Sequence, residues 1–122
     1  MDLQHQELTE QIIGAAFAVH NTLGYGFLEK VYQKAMQVEL RGRGLNAEIE
    51  SAIRVTYKGV EVGFYKADIL VNDCVIVELK VAKTYNDEDE PQLLNELKAT
   101  GTKVGLLINF GRTKVEFKRF VY

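Results

Sequence analysis

The sequence predicts an α/β (α+β) fold, a mixed central sheet flanked by helices. Three observations point there. Apolar residues first recur at spacings of three and four, then switch to alternation through three successive segments. A further helical segment precedes two more strand-like segments, so the order is helix, helix, three strands, helix, two strands. Hydrophobic residues make up 47% of the 122 residues, enough for one core, and predict a single domain over 1–122.

The first helix is expected over Leu3 to Leu23, where Leu8, Ile12, Ala16, Val19 and Leu23 form one stripe, with Gly24 and Gly26 as its stop. The second is expected from Leu28 to about Arg41, with Leu28, Val31, Ala35 and Val38 as its stripe and Gly42 and Gly44 closing it. Ile49 to Tyr57 alternates, Lys58-Gly59 turns the chain, and Val60 to Val71 follows as a second strand. Asn72-Asp73 reads as the turn into a third strand, Cys74 to Val81. Acidic residues Asp87 to Glu90 and then Pro91 suit the start of a helix carrying Leu93, Leu94 and Leu97, which stops at Gly101. Lys103 to Phe110 is a short apolar run, expected as a buried strand, and Lys114 to Val121 alternates as the last one.

Composition bounds the chemistry. The formal charge is −2, and the basic residues cluster only locally, at Arg41 and Arg43 and from Arg112 to Arg119. That disfavours bulk duplex binding by phosphate neutralisation but leaves room for a basic patch beside an acidic site. One cysteine, Cys74, excludes an intrachain disulfide and a zinc site built on several cysteines. The N-terminus is polar and no apolar run reaches membrane-spanning length, so a reducing cytoplasm and no membrane partner are expected.

The third strand is the most informative stretch, Val75-Ile76-Val77-Glu78-Leu79-Lys80-Val81. An apolar run of this kind suggests a central strand covered on both faces. Glu78 and Lys80 interrupt it two residues apart, so they share a face. A buried charge is costly unless paired or bound to a metal. Asp68 lies on the preceding strand, where the hairpin carries it towards Glu78, and two converging carboxylates suit Mg²⁺ or Mn²⁺. The bland alternatives are a solvated Glu/Lys edge and an Asp68 paired with Lys80 or Lys66. Register matters: a two-residue turn sets Asp68 opposite Val77 and facing away from Glu78. The site therefore requires an odd loop such as Asn72-Asp73-Cys74, or a bulge.

These residues fall within a longer resemblance. Gly26-Phe27-Leu28-Glu29-Lys30-Val31-Tyr32 resembles the motif of the GxxExxY family, part of the PD-(D/E)XK nuclease superfamily. His20-Asn21-Thr22-Leu23-Gly24 stands upstream. Lys66 to Val71, Val75 to Lys80, Gln92 to Asn95, Leu97 to Gly101 and Val104 to Gly111 follow in order, so the likeness covers nearly the whole chain. It implies a PD-(D/E)XK restriction-endonuclease-like core. Asp68 and Glu78 would be the metal carboxylates and Leu79 would offer a backbone carbonyl. Lys80 would orient the attacking water or stabilise transition-state charge. Glu29 would be the acidic residue of the first core helix, and Gln92 would position substrate or the lysine. Related nucleases place a tyrosine four residues after that glutamine; this chain has Glu96. A helix histidine serves some relatives as an extra ligand, which makes His20 a weaker candidate beside its reading as a structural histidine. Tyr32 is expected in the core with its hydroxyl hydrogen-bonded, and Cys74 as an inert apolar residue beside the turn.

The activity this implies is metal-dependent hydrolysis of phosphodiester bonds, of DNA rather than RNA, with Mg²⁺ or Mn²⁺ as cofactor and nucleic acid as partner. The rival expectation is a non-catalytic module of the same fold, acting in a complex or as a homo-oligomer.

Overall fold

A computed structural model describes residues 5–122. Helix α1 (Gln6–Leu23) buries Ile12, Ala15, Ala16 and Val19, and ends where the Gly24 N–H donates to the His20 carbonyl at 2.8 Å. Residues 3–4 of the expected helix lie outside the described residues. Helix α2 (Glu29–Gly42) faces the core with Tyr32, Gln33, Met36 and Leu40. This corrects the expected stripe: Leu28, Val31 and Val38 are exposed. Both stripes have helical spacing, but Tyr32, Met36 and Leu40 carry more volume and fill the space over the sheet.

Five strands follow: β1 (Ala47–Tyr57), β2 (Val60–Val71), β3 (Val75–Lys80), β4 (Val104–Phe110) and β5 (Val115–Val121). They lie side by side in chain order in one sheet. Only β3 and β4 run parallel; every other neighbouring pair is antiparallel. The parallel pair requires a crossover, supplied by a 3₁₀ turn at Asp87–Asp89 and helix α3 (Glu90–Thr100). Pro91 sits in the first turn of α3, and Gly101 caps its end in the left-handed conformation.

The helices cover both faces. Val75, Val77 and Leu79 of β3 and Val104, Leu106 and Ile108 of β4 pack into one core with residues of α1 and α2. Ile76 and Leu107 point the other way, towards Leu93 and Leu97 of α3. Burial on both sides explains why β3 and β4 read as continuous apolar runs. Gly105 on β4 lets α3 approach closely: a Cβ there would stand 2.9 Å from Leu93 Cδ1.

The turn between β2 and β3 differs from the two-residue form. Val71 pairs with Val75, leaving Asn72, Asp73 and Cys74 as a three-residue loop. Asn72 and Asp73 both adopt positive φ, which their short polar side chains tolerate, and the Cys74 N–H closes onto the Val71 carbonyl at 3.0 Å. With Ile69 opposite Val77, the register brings Asp68 level with Glu78.

Candidate active site

The β2–β3 ladder ends at the Ile69/Val77 pair, although both strands continue. Side chains take over where backbone pairing stops. The Asp68 N–H donates to Glu78 Oε2 at 3.0 Å, and the Leu79 N–H donates to Asp68 Oδ2 at 2.8 Å. Each carboxylate thus fills a backbone position left open by the parting strands. Gln33 on α2 holds the Asp68 carbonyl at 2.9 Å. Beyond Lys80, the buried Asn109 side chain clamps Ala82 through both N–H and carbonyl, at 3.0 Å each.

Glu78 is buried, at 4% exposure, on the face that meets α3. Burial, then the Asp68 charge, then Glu96, push its pKa up to about 9. Burial also raises Asp68, against the opposing pull of the Leu79 N–H and of Lys80. Glu29, one turn from Gln33 on α2, is exposed overall, yet shielding around its carboxyl raises it, with Asp68 adding and Lys80 opposing. The structure therefore brings Glu29, Asp68, Glu78 and Lys80 into one electrostatic neighbourhood. Lys80 forms no ion pair among the described residues, and Lys66 pairs with Glu50 at 3.8 Å rather than with Asp68. Gln92 on α3 reaches the group through Glu96, donating from Nε2 to Glu96 Oε2 at 3.2 Å.

His20 stands apart from these contacts. Its Nε2 hydrogen-bonds the Gly111 carbonyl at 2.8 Å and its ring stacks on Phe110. Tyr32 likewise packs on Phe110, with its hydroxyl donating to the Gly24 carbonyl. Cys74 is half-buried beside the loop, against the α1–α2 core.

Two acidic residues beside the site were not assigned to it from the sequence. Glu96 is 1% exposed and faces the sheet between Leu93 and Leu97. Its signal was present: a glutamate at spacings of three and minus one on an apolar stripe. Glu50 lies across from Asp68 in the β1–β2 register, and its charge raises the Asp68 pKa. Glu50 carries a positive φ of 54° inside a strand, which alternation does not foretell.

The donor set suits a hard divalent cation. Asp68 and Glu78 offer oxygen donors on parting strands, and a positive charge beside them would offset the burial that raises both pKa values and the Asp68 repulsion that adds to it at Glu78. The buried Glu96 carboxyl beside them meets the Glu78 carboxyl in a side-chain hydrogen bond and accepts from Gln92. Among the described residues no three His, Cys, Asp or Glu side chains are gathered to enclose an ion. The fit is therefore to a cation held by two carboxylates with water or backbone oxygens completing its shell, the mode Mg²⁺ favours.

A mixed sheet with helices on both faces, and carboxylates where its second and third strands part, defines an α+β fold of the restriction-endonuclease-like class. The sequence profile of the PD-(D/E)XK nuclease superfamily matches residues 6–120, and the chain belongs to that superfamily, whose nucleases generally use divalent metal ions. Among solved structures, the chain is similar to the crystal structure of SSO0001, with a TM-score of 0.52 and 19% identity. That match covers 96% of this chain and 58% of the other, so this chain spans little more than half of that structure's length. The alkaline exonuclease LHK-Exo from Laribacter hongkongensis aligns over 93% of this chain and 81% of its own, at 13% identity and a TM-score of 0.40. Among curated proteins none matches significantly in sequence. No helix among the described residues is long and apolar enough to cross a membrane.

Proposed function

We propose that this chain is a metal-dependent nuclease of the GxxExxY branch, one domain over 1–122, that hydrolyses phosphodiester bonds of DNA in a reducing cytoplasm. The observation that carries this is the opening of the β2–β3 ladder at Asp68 and Glu78, with the unpaired Lys80 two residues further on. Asp68, Glu78 and the Leu79 carbonyl would hold Mg²⁺ or Mn²⁺. When bound, such a cation polarises a phosphoryl oxygen and lowers the pKa of a bound water.

The chain's own residues supply the rest. Lys80 keeps its ammonium free of ion pairs beside the carboxylates, where it can orient the attacking water and offset negative charge developing on the phosphorus oxygens. Glu29 places a further carboxyl at the exposed rim, within the field of Asp68 and Lys80. Gln92 acts through Glu96, its hydrogen-bond partner. His20 is left out of the ligand set because its Nε2 is committed to Gly111.

One observation favours a second reading, a non-catalytic module of the same fold acting in a complex or as a homo-oligomer. It is that no three side chains of ligand type are gathered for an ion among the described residues. Cleavage of labelled single- and double-stranded oligonucleotides with Mn²⁺ separates the two. Wild-type activity that disappears in Asp68→Ala supports the nuclease. A wild type that binds Mn²⁺ but cleaves neither DNA nor RNA would establish the module.

A further inference from the structure

Strands β3 and β4 are parallel, so their carboxyl ends open on the same edge of the sheet, where open α/β sheets hold their ligands. The surrounding loops gather at that edge. His20, near the end of α1, hydrogen-bonds the Gly111 carbonyl just after β4. Tyr32 stacks on Phe110 while its hydroxyl holds the Gly24 carbonyl. The Arg112 N–H donates to the Lys83 carbonyl at 3.3 Å, which joins the β4–β5 loop to the loop after β3. Glu29, the first residue of α2, feels the charges of Asp68 and Lys80, so the α1–α2 loop borders the carboxylates.

Two kinds of side chain are left facing water there. The α1–α2 loop exposes Tyr25, Phe27 and Leu28, with Phe27 at 49% and Leu28 at 80%. Phe27 is braced edge-on against Tyr32, ring centroids 6.3 Å apart, so its ring is held in place without being covered. Lys83 and Arg112 are exposed, and neither forms an ion pair among the described residues. Exposed rings beside unpaired cations fit a ligand with flat apolar faces on an anionic chain, which is a nucleic acid strand. Two cations neutralise few phosphates, and the net charge is −2, so ionic contacts alone do not hold a duplex here. Stacking on rings supplies affinity instead, and it requires unpaired bases. The acidic turn Asp87–Asp89, whose Asp89 charge reaches Glu29, repels phosphate and leaves the Lys83 and Arg112 side as the path.

We propose that Tyr25, Phe27 and Leu28, with Lys83 and Arg112, form a track that binds single-stranded nucleic acid and leads it to Asp68 and Glu78. The substrate is then a single strand or a frayed duplex end rather than an intact duplex. Tyr25 and Phe27 offer ring faces to the bases, Leu28 an apolar edge, and the cations meet the phosphates. What happens to the bound strand rests on the nuclease reading above; the binding itself needs no metal.

The test is fluorescence anisotropy with a short labelled DNA strand and the matching duplex with G·C-clamped ends, both in chelator so that nothing is cleaved. Wild type should prefer the strand. Tyr25→Ala and Phe27→Leu should each weaken strand binding about fivefold or more, the loss typical of removing one stacking ring. Arg112→Ala should weaken it and lower its salt dependence. Phe27→Leu keeps an apolar contact on Tyr32, and circular dichroism checks that each variant is folded. Tyr57→Ala, an exposed tyrosine at the β1–β2 turn, should bind as wild type does. Equal wild-type affinity for strand and duplex, or strand affinity unchanged in both ring variants, overturns the proposal. So does a dimer that the ring variants dissociate without losing strand binding, which would make the loop a contact between two copies of this chain. Mn²⁺-dependent cleavage tells the two readings apart. Ring-dependent strand binding by a wild type that never cleaves keeps the track and removes the nuclease. Cleavage abolished by Asp68→Ala but indifferent to the ring variants keeps the nuclease and removes the track.

Discussion

Asp68 and Glu78 hold each other through the backbone: the Asp68 N–H donates to Glu78 Oε2, and the Asp68 carboxylate in turn accepts from the residue after Glu78. Each side chain thus serves a neighbouring strand as a backbone acceptor would. The arrangement keeps both carboxylates oriented before any ligand arrives, which limits the reorganisation that binding requires.

Millimolar Mg²⁺ or Mn²⁺ should therefore raise the melting temperature of the wild type, because a ligand that binds only the folded state stabilises it by mass action. Glu78→Ala should lose most of that rise. Differential scanning fluorimetry with and without metal measures both, and an equal rise in the two proteins would place the cation elsewhere.

The pH dependence of the metal-free protein has a defined sign. Folding raises the Glu78 pKa from an ordinary 4.5 to about 9, so the folded chain holds that proton more tightly than the unfolded one. The stability this contributes is fully present below about pH 4.5 and is lost as the pH rises towards 9. Asp68, Glu29 and Glu96 shift in the same direction. Urea midpoints between pH 5 and 9 should fall without metal. Glu78→Gln should flatten that slope, and a slope as steep as wild type in Glu78→Gln would show that Glu78 does not cause it.

Lys80→Ala separates chemistry from metal binding. Both carboxylates remain, so Mn²⁺ affinity should be retained. Loss of a preorganised positive charge at the reacting phosphate typically costs roughly 10²- to 10³-fold in rate. Single-turnover cleavage at saturating Mn²⁺ gives the number. A rate within a factor of two or so of wild type would remove Lys80 from the mechanism.

Gly105→Ala tests the packing that brings α3 to the site. The new methyl would meet Leu93 Cδ1 at 2.9 Å and Leu97 Cδ1 at 3.2 Å. Overpacking of this type costs about 1–3 kcal/mol. Urea unfolding should show that loss. Unchanged stability would mean that the leucines yield freely.

Much of this was legible in the sequence, and the failures have physical reasons. The β2 limits and the stop of α3 at Gly101 follow from alternation and turn residues, which are local. The exposed stripe of α2 was mistaken for the buried one because Leu28, Val31 and Val38 satisfy the same periodicity as Tyr32, Met36 and Leu40, and only the sheet decides between them. The need for an odd loop at residues 72–74 could be stated from the sequence, but its length depends on Asn72 and Asp73 adopting left-handed geometry. Glu96 was visible as a departure from a tyrosine. Its burial against Glu78 depends on the parallel β3–β4 pairing and on Gly105, which are contacts between distant segments.

The pairing of β2 with β3 imposes an evolutionary arithmetic on this stretch of chain. Successive strand residues alternate between faces, so one residue inserted or deleted within strand residues 69–71 or 75–77 would turn one of the two carboxylates to the opposite face. A residue added inside the loop at 72–74 would only enlarge the hairpin tip and leave the strand pairing as it is. Descendants of this chain can therefore vary the loop while keeping the carboxylates together, whereas an odd step inside either strand separates them at once unless a bulge restores the phase.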